Sequence, residues 1–290
     1  MTFDFHRYGF SFVADDAIQF PPVMPAKVLR GAFGLALRRI ACRCVTDAVH
    51  QPGCVYSRFF EPQALAAGPS GLRDHPRPFV FRARSLDART VEPGESFQFE
   101  MNVFEMRFPV RLLLEETFSA LAAEGLGPTR GRFRLVHTED RLVSVNLNGC
   151  ETRANGVIVS FLTPTELKGD PAVASAAEFA VLFSRIRDRL STLRSLYGAG
   201  PLDIDFLGMA SRASEISLIH SQLKHLKTSR YSTRTGQCHE LSGFLGKIEY
   251  AGRLTEYIPY LVAAQSTGVG RQTVWGKGEL SVEVLRPEER

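Results

Sequence analysis

Hydrophobic and polar residues along the chain change period in a fixed order, and that order is written twice. "FDFHRYGFSFVA" (residues 3–14) alternates apolar and polar residues at the period of a half-buried strand. "PPVMPAKVLRGAFGLALRRIAC" shifts to helical spacing, opened near Pro25, whose missing N–H has no helical partner to lose. An irregular stretch from Arg43 to Pro78 follows. Then come strand patterns in "FVFRARS" and "ESFQFEMNVFE", an amphipathic helix ended by glycine in "PVRLLLEETFSALAAEGLG", and a strand or bent hairpin in "GRFRLVHTEDRLVSVNL". The order is β-α-β-β-α-β.

The second half repeats it. "GVIVSFLTPTEL" reads as a strand, "AAEFAVLFSRIRDRLSTLRSLYG" as a long helix, and a short helix follows "PLDIDF". "SEISLIHSQLKHL" and "LSGFLGKIEYAG" are strands, "LTEYIPYLVAAQS" is a helix, and "GELSVEVL" closes the sheet. Two such units predict an α+β protein of tandem ferredoxin-like domains. The first spans residues 1–150, with a cysteine-containing insertion at about 43–78, and the second spans residues 151–290, joined near "NGCETRANG".

Between the last helix and the last strand stands "TGVGRQTVWGKGEL", which sets Gly268, Gly270, Gly276 and Gly278 beside Arg271 and Lys277. A dinucleotide-binding fingerprint has the reverse context of strand, glycines, then helix. A Walker loop needs Ser or Thr after its lysine, and Lys277 is followed by Gly278. Two readings remain: a cradle of backbone N–H groups and cations for an extended phosphate chain, or a glycine-rich turn leading to an edge strand.

Composition narrows the class. The chain has 290 residues, 44% hydrophobic and 23% charged, which is ordinary for a globular protein with real cores. No apolar run reaches the roughly 20 residues that span a bilayer, and "MTFDFHRYGF" lacks the pattern of a secretory signal. A cytoplasmic protein without membrane contact is expected. Net charge is only +4, so charge alone demands no polyanion, although 29 of the 35 basic residues are arginines, whose planar fork suits phosphate. Five cysteines are too sparse for a disulfide framework.

Candidate chemistry concentrates in three places. At 100° per residue, Lys27, Arg30, Gly31, Gly34 and Arg38 share one face of the first helix, opposite an apolar stripe of Leu29, Ala32, Phe33, Ala36 and Ile40. Mid-helix glycine costs about 1 kcal/mol against alanine, so something approaches this face closely, either a ligand or a neighbouring part of the protein. The second place is "LIHSQLKHLKTSRYSTR", where Lys224, His225, Lys227, Arg230 and Arg234 crowd around Tyr231. The third is "CRCVTDAVHQPGC". Its Cys42, Cys44, His50 and Cys54 have zinc-binding chemistry, but one spacer residue between the first two predicts strain at a single tetrahedral centre. Incidental cysteines, and no metal, are the expectation. Nothing resembles the acidic cluster of a two-metal nuclease.

"LRGAFGLALRRIAC", "YSRFFEP", "FLTPTELKG", "SRYSTRTGQCHELSGFLGKIEYAG" and "GVGRQTVWGKGEL", in that order over most of the chain, resemble the RAMP superfamily of CRISPR-associated proteins. Within it the match is to the endoribonucleases that process precursor CRISPR RNA. The resemblance implies a cleft between the two domains and a glycine loop that grips the RNA backbone at Gly268, Gly270, Arg271, Gly276, Lys277 and Gly278. It implies cleavage without metal or cofactor, in which a 2′-hydroxyl attacks the adjacent phosphate to leave a 2′,3′-cyclic phosphate. It also implies partners: the CRISPR repeat RNA, as precursor and mature CRISPR RNA, and other subunits of a CRISPR effector complex. Such chemistry needs an acid, a base and cations around the phosphorane. His225 and Tyr231 are the acid–base candidates, and Arg30 and Arg38 the electrostatic ones. Lys27, Gly31, Gly34, Lys224, Lys227, Arg230 and Arg234 are expected to contact RNA. One departure matters. Family members often carry a histidine on or just before the first helix, and here Leu35 stands where it is expected. An RNA-binding subunit that has lost cleavage is therefore the alternative.

Overall fold

The computed structural model describes residues 1–44, 50–62, 75–149, 153–167, 178–227, 229–231 and 238–285, with backbone alone for 229–231 and 238–240. The first half contains β1 (Thr2–Ala14), β2 (Ile18–Gln19), α1 (Ala26–Ala41), α2 (Val55–Phe60), β3 (Phe79–Arg82), β4 (Thr90–Val91), β5 (Ser96–Val103), α3 (Arg111–Glu124) and β6 (Phe133–Asn146). The second contains β7 (Gly156–Thr165), α4 (Phe179–Tyr197), α5 (Phe206–Ala213), β8 (Ser217–Leu226), β9 (Ser229–Tyr231), β10 (Cys238–Glu240), β11 (Gly243–Ala251), α6 (Ile258–Thr267) and β12 (Leu280–Leu285).

The main sheets run β3-β5-β1-β6 and β12-β7-β11-β8, with every pairing antiparallel. Counted within each half, both have the order second–third–first–fourth or its mirror, so the halves are two copies of one β-α-β-β-α-β plan, consistent with tandem ferredoxin-like domains. Three details differ from the sequence pattern. The irregular stretch contains the short helix α2. β2 and β4 form a two-stranded ribbon that the pattern does not contain, while β6, read as a strand or bent hairpin, is one continuous strand. β9 and β10 form a small ribbon outside the second sheet.

Period-two alternation in β1 gives its two faces different neighbours. Tyr8, Phe10 and Phe12 point to a core with Phe33 of α1 and Phe118 of α3; the Phe10 and Phe118 rings lie 4.4 Å apart. Phe3 and Phe5 point the other way and join the core of the second half, beside Phe104, Leu190 and Leu261. Further along that back face, Arg7 donates to Ser266 Oγ at 3.3 Å and Asn102 Nδ2 to the Ser266 carbonyl at 2.9 Å. The first sheet is therefore covered on both faces, by its own helices and by the end of α6. This seam positions the candidate site.

Candidate nucleic-acid interface

The glycine loop connects α6 to β12. Gly268, Gly270, Gly276 and Gly278 all have positive φ, from 69° to 90°. At Gly270 an added Cβ would strike the Glu166 carbonyl oxygen, and at Gly278 the carbonyl oxygen of Val269. These close approaches fold the loop on itself and onto the end of β7. Val269 N donates to Gly278 O (2.9 Å), Arg271 N to Glu166 O (2.9 Å) and Gly278 N to Pro164 O (3.0 Å). What comes close to Gly268, Gly270 and Gly278 is the protein's own backbone.

Lys277, expected to meet phosphate, is 0% exposed. An ammonium has three donors, and here they go to Glu166 Oε2 (2.9 Å), the Ser242 carbonyl (2.8 Å) and Gln272 Oε1 (3.1 Å). With its donors satisfied inside the protein, Lys277 shapes the loop rather than touching a ligand. Arg271 remains exposed and pairs with Glu166 at 2.7 Å. Burial works to raise the Glu166 pKa, but the bonds and charges of Lys277 and Arg271 outweigh it and hold the carboxyl below its usual range.

A 3-10 turn at Thr273–Trp275 presses this loop against α1. A Cβ at Gly276 would sit 2.8 Å from Ala26 Cβ. The Arg30 guanidinium lies between two rings, 4.1 Å from the Trp275 centroid and 4.7 Å from that of Phe60. Phe60 also fills the space where Gly34 lacks a side chain. Arg30 and Gly34 are thus buried by α2 and by the glycine loop, so the close approach expected at this face is made, at these two positions, by the protein itself. Arg38 lies near the Tyr56 ring, 5.9 Å away. Lys27 and Gly31 are half-buried, and Leu35 is 57% exposed.

Beside this contact, the carbonyls ending α6 meet half-buried cations, the favourable sign for a helix C-terminus. Arg82 donates to Gln265 O and Ser266 O at 3.0 Å, and Arg189 to Thr267 O at 3.1 and 3.2 Å. Burial, helped by the charge of Arg82, lowers the Arg189 pKa to about 9, which leaves it protonated at neutral pH. Next to Arg189 opens a cavity of about 440 Å³, lined by His75, Arg77, Arg185, Asp188, Arg271 and Trp275 among others. The Asp188 carboxylate is held by Arg187 at 2.9 Å. Arg185 Nε is buried without a hydrogen-bond partner. With Arg271 matched by Glu166 and Asp188 by Arg187, Arg77, Arg185 and Arg189 leave the cavity lining net positive. The sequence reading passed over His75, Arg77, Arg185 and Arg189. A signal was present for two of them: Arg185 and Arg189, four residues apart, share one face of "SRIRDRL".

The second basic segment sits elsewhere. Lys224 and His225 are exposed on β8, at the edge of the second sheet. Register places Leu226 opposite Gly243, next to the Ser242 carbonyl that binds Lys277. This end of β8, with Lys227, therefore shares the end of the sheet that carries the glycine loop. Arg230 and Tyr231 belong to β9, where they pair with His239 and Cys238. Arg234 lies outside the described residues. His225 does not line the arginine cavity; of the described histidines, His75 does. Cys42, Cys44, His50 and Cys54, whose spacing argued against a shared centre, are brought together within 4.8 Å. Among the described residues no helix is long and apolar enough to cross a membrane.

Comparison with known families finds an N-terminal-domain model (AF_1859_N) over residues 3–151 and the model of CRISPR-associated endoribonuclease Cas6 over residues 159–280. Comparison with curated protein sequences finds no match. Among solved structures, Thermus thermophilus Cas6 matches with a TM-score of 0.56 at 13% identity, over 98% of this chain and 99% of that one. A Cas6 product complex matches with a TM-score of 0.57 at 14% identity, over 96% of this chain and 100% of that one. The Cas6-containing chain of a partial Cas6-RT-Cas1–Cas2 complex matches with a TM-score of 0.62 at 11% identity, over 97% of this chain and 46% of that one. At these identities the structures show a shared fold.

Proposed function

Because this chain belongs to the CRISPR-associated Cas6 family of RAMP proteins, we propose that it binds CRISPR repeat RNA along the seam between its two halves and cleaves precursor CRISPR RNA there. The observation that carries this reading is the cavity beside the glycine loop. There Arg77, Arg185, Arg189 and Arg271 converge with Trp275, offering cations for phosphate and a ring on which a base can stack. Lys224, His225 and Lys227 extend the positive surface along the same end of the second sheet, and Arg230 and Arg234 follow them in the chain. A Cas6 solved as a product complex shares this fold, which supports a processing role.

The chemistry proposed is attack of a 2′-hydroxyl on the adjacent phosphate, giving a 2′,3′-cyclic phosphate and a 5′-hydroxyl, without a metal in the step. A base removes the 2′-proton, an acid protonates the leaving 5′-oxygen, and arginines stabilise the phosphorane. His225, with Tyr231 nearby in sequence, and His75 in the cavity are the imidazole and phenol groups proposed for proton transfer; Arg38 and Arg30 contribute field rather than contact. The processed RNA is proposed to stay bound for use by an effector complex in antiviral defence. The exposed Leu35 on α1 favours one second reading, an RNA-binding subunit without cleavage.

The test is incubation with labelled repeat RNA in EDTA, alongside RNA with a 2′-deoxy substitution at the cleavage position. Cutting that persists in EDTA and disappears with the deoxy substrate is the expected result, and loss of cutting in His75→Ala or His225→Ala then assigns the imidazole. Tight binding without cutting establishes the second reading. Neither binding nor cutting of any repeat overturns both.

A further inference from the structure

The segment joining α1 to α2 gathers four ligating side chains that the RNA-binding reading does not use. α1 ends at Cys42, and Cys54 caps the start of α2. Between them a turn through Pro52 and Gly53, with Cys54 N bonded to Gln51 O at 3.1 Å, returns the chain so that His50 and Cys54 face Cys42 and Cys44. The three thiol sulfurs and an imidazole nitrogen lie within 4.8 Å of one another. His50 Nδ1 is 3.5 Å from Cys42 Sγ and 3.7 Å from Cys54 Sγ.

Those lengths have a chemical meaning. With zinc–sulfur bonds of about 2.3 Å and a zinc–nitrogen bond of about 2.0 Å, tetrahedral angles set S···N edges of about 3.5 Å and S···S edges of about 3.8 Å. The two sulfur–nitrogen distances, 3.5 and 3.7 Å, lie close to the tetrahedral edge, and with all ligand atoms within 4.8 Å no edge exceeds its tetrahedral value by more than about 1.3 Å. The surroundings match as well. The Gln51 N–H donates to Cys44 Sγ at 3.3 Å, a bond that stabilises a thiolate. His50 is buried, and its Nε2 has no hydrogen-bond partner but faces Glu61 Oε2 at 3.6 Å. Glu61 in turn accepts from the Tyr56 hydroxyl at 3.0 Å. A carboxylate behind the distal nitrogen of a ligating histidine is the usual support of a zinc site, because it fixes the ring and its tautomer.

We propose that Cys42, Cys44, His50 and Cys54 bind one zinc ion through three thiolates and His50 Nδ1, in a closed structural site. Its four protein ligands leave no position for water or substrate, so the ion takes no part in cleavage. It fastens the end of α1 to the start of α2. α2 carries Phe60, which fills the space beside Gly34 and stacks on Arg30 against Trp275. The ion thereby fixes the α1 surface on which the glycine loop rests. Glu61 is a positioning residue in this scheme.

The test is metal analysis of the full chain, purified under reducing conditions without a metal-binding tag and after the EDTA treatment used for the cleavage assay. One zinc per chain is expected, released when a mercurial titrates the thiols. Apo-protein reloaded with Co²⁺ should show thiolate-to-cobalt charge transfer and the intense d–d bands of a tetrahedral centre. Cys54→Ser should lose the metal, and His50→Cys should retain it with a cobalt spectrum shifted toward four sulfurs. Glu61→Gln should keep the stoichiometry in excess zinc but lose it to a competing chelator about 10-fold more readily. Three results overturn the proposal: folded protein that holds no zinc and gives no cobalt bands, zinc that survives in Cys54→Ser, or a disulfide among these cysteines in freshly lysed cells. None of these readouts involves RNA, so the site stands or falls independently of the cleavage reading.

Discussion

An alanine at position 34 would place its methyl group inside the ring of Phe60. Two effects of opposite sign meet there. In an open helix, replacing glycine by alanine gains about 1 kcal/mol; forcing one extra carbon into a filled core costs about 1–3 kcal/mol. The contact is with the far edge of the Phe60 ring, Cε1, Cζ and Cε2, and that ring is packed against Phe33, Tyr56, Phe79 and Arg30, so it has little room to retreat and the cost wins. Gly34→Ala is expected to lower stability by about 1–2 kcal/mol, read as the midpoint of urea unfolding, and Phe60→Leu in the same chain should recover part of that loss. A stabilised Gly34→Ala would mean Phe60 moves aside freely and does not hold Arg30. The sequence makes the need for close approach at this position plain, since a glycine four residues after an arginine in a strong helix is costly. It does not show that the approaching group is a ring twenty-six residues away, because the short apolar run that forms α2 carries no helical period of its own.

The glycine loop shows the same division between local and distant information at the level of an element. Its place between α6 and β12 follows from the hydrophobic pattern on either side. Its internal fold depends on the end of β7 and on Ser242, which sequence spacing does not reveal. The lysine that looked like a phosphate contact is its central tie. Removing one partner of a buried, hydrogen-bonded ion pair costs about 3–5 kcal/mol; Glu166 is partly exposed and keeps Arg271, so Lys277→Met should cost less, about 2–3 kcal/mol. The same pair makes the loop sensitive to acid. The Glu166 carboxyl is held below its usual range, so the unfolded chain takes up this proton first. Its stabilisation is complete above roughly pH 5 and is lost as pH falls through the lower folded value. Glu166→Gln should therefore destabilise the protein at neutral pH and flatten the acid limb of a plot of urea midpoint against pH. An unchanged acid limb would show that other carboxylates govern it.

At the scale of the whole molecule, the repeated β-α-β-β-α-β order was readable because strand and helix periods are set by neighbours along the chain. The seam was not, because it is made by the back face of β1. There Phe3, Phe5 and Arg7 alternate like any wet strand edge, yet they pack under the end of α6. The cavity beside that seam supports a prediction that separates a specific phosphate site from general positive charge. Arg185 Nε is a buried donor without a partner, a group whose desolvation cost is recovered when an anion arrives. Arg132 is a suitable contrast: it is exposed, away from the cavity, and bonded to Asp16 at 3.0 Å. If a phosphate of the repeat RNA sits at the cavity, Arg185→Gln should weaken binding about 10-fold near 0.15 M salt and reduce the slope of log affinity against log salt by nearly one. Arg132→Gln should leave both within about twofold of the parent protein. Equal weakening by the two variants would mean that RNA senses only the net charge of the surface. No weakening by Arg185→Gln, with the urea midpoint unchanged, would take the cavity out of the binding path and leave the β8 edge, with Lys224, His225 and Lys227, as the place to look.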